Sequence, residues 1–168
     1  MAASTTPSRA TSCGEPVITE TGVGKVKIGM TANALRASCQ IVLDTLRPGG
    51  EGEIQHVLRV AFPPDYLDAE IVNDSVWRLD ILTPGIRTAD SLGVGTALHR
   101  LLQMSRPRGA SGEGRMFVMS PDHCGRSFEI SYFGPMPRGG WTPANLARLP
   151  DSTHVVAVLV SKCYPELY

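Results

Sequence analysis

A small glycine-centred turn running straight into an apolar helix is written twice in this chain. The first copy is "KVKIGMTANALR" (25–36) and the second, displaced by 66 positions, is "SLGVGTALHRLL" (91–102). Two such junctions leave two readings: a repeated phosphate cradle, or the opening of a duplicated structural unit. A phosphate loop of the Walker type ends on Gly-Lys-Ser/Thr, whereas Lys25 is followed by Val26 and Lys27. A dinucleotide fingerprint needs three spaced glycines after a buried strand, and "GVGTAL" supplies two. The glycines are better read as the residues of a tight strand-to-helix turn that a Cβ would obstruct.

The element order supports duplication. "VGKVKIG" (23–29) alternates with a period of two and reads as a half-buried strand. Thr31 is placed to cap a helix from Ala32 to about Gln40, with Ala34, Leu35 and Cys39 at helical spacing. After a glycine-rich loop at 47–53, "IQHVLRVAF" (54–62) reads as a strand stopped by "PPDY", and two more strands follow around a tight turn at Asn73-Asp74. In "SVWRLDILT", Trp77, Leu79 and Ile81 share one apolar row, which predicts a core position for Trp77. The second half repeats the order: Thr96 as cap, a helix over 97–104 with Leu98, Leu101 and Leu102 on one stripe, and a mobile loop at 105–115. Strands follow at 116–120, 127–133 and 154–162. The expected fold class is therefore α+β. An antiparallel β-sheet carries two helices packed on one face, built from two pseudo-repeated strand–helix–three-strand halves. A single domain spans 17–168, with halves at about 17–84 and 85–168, after a disordered tail over 1–16 that is small, polar and broken by prolines.

Charge narrows the function. Sixteen Lys and Arg balance sixteen Asp and Glu, so no net field points to nucleic acid or an anionic membrane. No apolar run is long enough to span a bilayer. The N-terminal stretch resembles the spacer after a signal-peptide cleavage site, and Cys13 lacks the upstream leucine of a lipoprotein signal. The four cysteines, Cys13, Cys39, Cys124 and Cys163, contain no close couple of the kind zinc sites use, so no metal or other cofactor is expected. Either two disulfides or four reduced thiols remain, and two disulfides allow three pairings. If "GRSFEISY" and "HVVAVLVSK" are antiparallel neighbours, Cys124 and Cys163 lie at the same end of the sheet and pair, leaving Cys13 with Cys39. Both bonds would imply an oxidising compartment, periplasmic or secreted.

"KIGMTANAL" (27–35) resembles the opening of small outer-membrane lipoproteins of the β-barrel assembly machinery. It is also similar to the tandem modules of the secreted β-lactamase-inhibitor proteins, in which helices pack on an antiparallel sheet. "IRTADSLGVGTALHRLL" (86–102) resembles a segment of uncharacterised bacterial exported proteins. These likenesses imply a helix-on-sheet module and an exported protein. The second half lacks the Gly-Met-Thr wording and the helices are brief, so no inhibitor contact residue carries over.

"SPDHCG" (120–125) sets Asp122, His123 and Cys124 side by side, but neighbours on an extended segment point to opposite sides and make poor catalytic pairs. His56, His99 and His154 are scattered, and Glu51, Glu53, Asp65, Asp68, Glu70 and Asp74 sit mostly in loops and turns, where a solvated surface explains them. No catalytic residue is assigned. Binding is the better class. Trp141 lies in the Pro/Gly-rich loop "PMPRGGWTP", and with Arg138, Tyr132 and Phe133 it forms the candidate contact patch for a protein or peptide partner. The rival is a small enzyme or ligand carrier with a pocket between helices and sheet.

Overall fold

The computed structural model describes residues 12–49, 52–112 and 114–165. Three two-residue strands open it, β1 (Val17–Ile18), β2 (Gly22–Val23) and β3 (Val26–Lys27), followed by helix α1 (Ala32–Ser38). A meander of β4 (Ile41–Pro48), β5 (Ile54–Phe62), β6 (Asp65–Val72) and β7 (Ser75–Ile81) comes next. The rest of the chain runs through β8 (Arg87–Thr88), α2 (Leu98–Leu101), β9 (Arg108–Gly112), β10 (Arg115–Met119), a 3-10 turn (Pro121–His123), β11 (Arg126–Ile130), α3 (Pro143–Leu146) and β12 (Val155–Ser161). Eight strands form one sheet in the order β4-β5-β6-β7-β12-β11-β10-β9, antiparallel at every step. A four-stranded sheet, β3-β2-β1-β8, is joined by a parallel β1–β8 contact. The protein is a sheet-rich α+β fold with few helices.

Local chemistry explains these elements. Thr31 Oγ1 accepts from the Ala34 amide at 3.1 Å, which closes the first turn of α1. Asn73 and Asp74 both take positive φ (50° and 59°), the conformation of a two-residue turn that matches strand twist, so β6 folds directly onto β7. At the twin junctions Gly29 and Gly95 have φ of +85° and +86°. Gly29 N–H donates to Val76 O and Val76 N–H to Met30 O; Gly95 N–H donates to Val155 O and Val155 N–H to Thr96 O, each at 2.8 Å. The Gly93 amide donates to Thr96 Oγ1 at 3.0 Å. The protein's own acceptors thus hold the amide hydrogens of Gly93 and Gly95, the groups a phosphate would need.

One continuous core fills the space beside the large sheet. Leu58, Val60, Leu67, Leu79, Ile81, Phe128, Ile130 and Val158 meet Leu35 of α1, Leu98 and Leu101 of α2 and Leu146 of α3 there. Cys13 and Cys39 close a disulfide within this core, with Cα atoms 4.6 Å apart. The tail expected over 1–16 therefore does not reach Cys13, and residues 1–11 lie outside the described part. Cys124 and Cys163 form the second disulfide, with a Cα separation of 5.0 Å. β11 and β12 are antiparallel neighbours with Arg126 opposite Val160, which brings the two cysteines to one end of the sheet.

Several expectations are corrected. Trp77 is 46% exposed, not core. The β6–β7 register pairs Ile71 with Val76 but Glu70 with Arg78, so Trp77 is an extra residue, and the bulge turns Val76, Leu79 and Ile81 inward together. The large sheet has eight strands rather than the six expected after the two helices, because β4 and β9 carry no strand pattern in the sequence. β9 occupies part of the segment expected to be a mobile loop. The second helix covers only Leu98–Leu101, and Ala97 precedes it without a side-chain cap. Thr96 instead accepts from Gly93 and Arg87. A third short helix, α3, was not expected; Thr142 caps it by accepting from Asn145 N–H at 3.2 Å, with Pro143 at its first position.

Candidate functional site

The loop between β11 and α3 is braced from inside. Trp141 is 8% exposed and belongs to the core. Its indole N–H donates to Ser111 Oγ at 2.6 Å, and its carbonyl accepts from Gly109 N–H at 3.1 Å, tying the loop to β9. The Tyr132 ring meets Trp141 edge-on, with centroids 5.5 Å apart and planes at 82°. Asn145 Nδ2 donates to Gly140 O at 2.7 Å, and the Tyr132 hydroxyl donates to Pro135 O at 3.3 Å. Of the four residues expected to contact a partner, Trp141 is withdrawn from solvent, Tyr132 is half-buried beside it, and Phe133 and Arg138 are exposed. Phe133 is 78% exposed and Met136, which sequence reasoning passed over, is 64% exposed. The available signal for Met136 was its place between two prolines, where no strand can take it up. The loop therefore displays two large apolar side chains and a guanidinium on a fixed frame.

The large sheet carries charge on the strand positions that alternate with its core residues. Asp68, 1% exposed, accepts from Arg59 Nε at 2.7 Å and Nη2 at 3.0 Å. Arg47 bridges Asp68 and Asp80 at 3.4 and 3.5 Å, and Arg78 spans Glu70 and Asp80, each at 3.0 Å. Asp68 stands directly opposite Asp80 across β6 and β7, a like-charge pairing that the bridging arginines compensate. The Arg59 guanidinium lies 4.1 Å from the Tyr66 ring centre, adding a cation–π contact. Asp68 and Glu70 are buried residues of β6, which corrects their placement on a solvated surface. Glu51 lies outside the described residues.

The run Asp122-His123-Cys124 is split among three partners. Cys124 is in its disulfide, His123 Nδ1 meets Glu20 at 3.1 Å, and Asp122 pairs with Arg106 and accepts from Ser105. His56 pairs with Asp44 at 2.7 Å, and His154 Nδ1 contacts Ser131 Oγ and Ser152 O. No group of three potential metal ligands occurs among the described residues. The Arg106 guanidinium, helped by the Ser105 hydroxyl, lowers the Asp122 carboxyl from 3.8 to about 2. A depressed carboxyl keeps its ion pair above its ordinary pKa and loses it as pH falls through the lowered value. NMR titration of the Asp122 carboxyl is expected to show a midpoint near 2, and Arg106→Ala should return it toward 3.8. A wild-type midpoint already near 3.8 would contradict the pairing.

Taken together, the fold and this loop describe a sheet-rich α+β protein that presents an apolar patch from a braced connection. No protein-family model and no curated protein sequence matches the chain. Among solved structures it is similar to the uncharacterized protein yfeY from Escherichia coli, with a TM-score of 0.59 and 14% identity over 87% of this chain and 99% of that one. At that identity the likeness concerns fold alone.

Proposed function

We propose that this chain is an exported, non-enzymatic binding module that engages a protein or peptide partner through Phe133, Met136 and Arg138. The observation that carries the reading is Phe133, 78% exposed on a loop pinned by Trp141, Tyr132 and Asn145. An exposed aromatic beside an arginine is the usual composition of an interface anchor. A loop already ordered before association loses little conformational entropy on binding. Trp141 acts as the brace. Two disulfides favour an oxidising compartment, and we read that compartment as periplasmic or extracellular.

The two halves are read as a pseudo-repeat. Support comes from the matching hydrogen bonds of Gly29 with Val76 and Gly95 with Val155, and from four consecutive strands per half meeting at β7 and β12. The resemblance to tandem helix-on-sheet modules accords with this reading. The rival reading is a small enzyme or small-ligand carrier with a pocket between helices and sheet. The cavity of about 160 Å³ beside the helices is lined by α2, α3 and the turn after α3, and no strand residue forms its wall.

A photo-crosslinking residue at position 133 in the full chain, made in its own cells, tests the proposal. One discrete adduct is expected, absent when the same residue replaces the exposed Leu46 on edge strand β4. Equal adducts at both positions, or none at 133, would overturn it. Phe133→Ala should leave stability within about 0.5 kcal/mol, as expected for a surface position.

A further inference from the structure

Arg126 opens β11 in the same alternation as Phe128 and Ile130, so its side chain extends toward the core side where the large sheet ends. It is 9% exposed. Its Nε is buried without a hydrogen-bond partner, and Arg126 makes no ion pair among the described residues. Burial pushes its guanidinium pKa down, and the charges of Glu20 and Asp90 only partly offset that. A buried donor cut off from both water and an acceptor is an unfavourable arrangement in a folded protein. Position 126 is fixed by its neighbour: Gly125 has φ +94°, and a Cβ there would lie 2.8 Å from Glu20 O and 2.9 Å from Ser161 O.

Arg126 lines a cavity of about 530 Å³ that opens to solvent. Ile18 at the end of β1, the β1–β2 turn (Thr19, Glu20, Thr21), the turn after β8 (Ala89, Asp90) and His123 form the rest of its wall. Both acids already have other partners: Glu20 meets His123 at 3.1 Å, and Asp90 accepts from Thr88 Oγ1 at 2.6 Å. The lining thus offers one unfilled cationic donor and two carboxylates with accepting capacity left. A dianion such as phosphate would be repelled by Glu20 and Asp90, and a simple cation by Arg126. A neutral molecule carrying both charges satisfies all three groups.

We infer that the cavity between the two sheets binds a small zwitterionic aminocarboxylate, its carboxylate on Arg126 and its ammonium toward Glu20 and Asp90. A free amino acid and a short peptide share this chemistry, and the volume admits either. This site is separate from the loop at 132–141, and its test does not depend on that loop.

The test is NMR titration of the full, oxidised chain at neutral pH with L-alanine, L-alanyl-L-alanine, alaninamide, N-acetylalanine and inorganic phosphate. Amide shifts at 18–21, 89–90 and 123–126 are expected with alanine or dialanine, and the better of the two identifies the source. Alaninamide and N-acetylalanine, each lacking one charge, should bind at least about tenfold more weakly. Arg126→Met should abolish binding while holding or raising Tm, because it removes a buried donor that has no acceptor; a purely structural arginine would lower Tm on replacement. Should that variant fail to fold, Glu20→Gln at the exposed rim replaces it, and N-acetylalanine should then approach alanine in affinity. Phosphate binding more tightly than alanine, equal affinity for alaninamide, or no shift with any probe up to about 10 mM would overturn the inference.

Discussion

Asp68→Ala is expected to destabilise the protein by about 3 kcal/mol, at the lower edge of the range for breaking a buried ion pair. Asp68 holds two bonds from Arg59 and a third contact from Arg47, with almost none of its side chain in water. Removing it leaves two guanidinium groups facing a cavity, with Asp80 still held to Arg47 and Arg78. The lower edge applies because Arg59 and Arg47 are partly exposed and can turn toward solvent. Asp68→Asn should cost less, since it keeps the volume and one acceptor. The Asp68→Ala/Arg59→Ala double variant should be less damaging than the sum of the singles, because the orphaned charge goes with its partner. Urea unfolding at constant slope measures all three. A loss below about 1 kcal/mol for Asp68→Ala would mean that the pairs behave as solvated surface pairs.

Opening the disulfides should have an effect of similar size. Cys124 and Cys163 are 39 residues apart, and Cys13 and Cys39 are 26 apart. Loop-closure entropy assigns each bond about 3–4 kcal/mol, larger by a few tenths for the longer loop. The shorter bond adds a packing contribution, because Cys13 and Cys39 are both core residues. The Cys124→Ala/Cys163→Ala variant is expected to melt about 10 °C below the parent, on the ordinary scaling for a chain of this size. Cys13→Ala/Cys39→Ala should match or exceed it despite the shorter loop. A melting temperature that changes by less than about 2 °C on full reduction would rule out a structural role for both bonds.

What could be read in advance followed burial. The central strands β5, β6, β7 and β12 carry apolar alternation or continuous apolar runs, because neighbours on both sides hold them against the core. The two edge strands were illegible for opposite reasons. β4 holds consecutive apolar residues and a bulge at Val42, so its period is broken, and half of it faces water. β9 reads "RGASG", a composition with no strand preference, and it is ordered by pairing with β10 and by the Trp141 contacts. Trp77 was misassigned because a single inserted residue reverses every facing beyond it. Arg138 was legible as a loop residue, whereas Phe133 was expected in a strand over 127–133 that ends at Ile130. The burial of Trp141 was not legible, because Ser111, its hydrogen-bond partner, lies 30 positions away. Nothing local marks Arg126 either: its isolation depends on the β1–β2 turn, about a hundred positions earlier in the chain.

The seam between β7 and β12 has a consequence for how the chain comes to be made. β12 is the last strand among the described residues, yet it sits in the middle of the large sheet and covers the open side of β7. While a nascent chain is still short of residue 155, the β4–β7 meander can assemble but presents an unpaired edge bearing Leu79 and Ile81. That edge is a template for any other strand in the same condition, so crowded nascent chains are drawn toward mispairing and domain exchange until each acquires its final strand. Stopping the chain before residue 155 removes β12 and would make this hazard permanent.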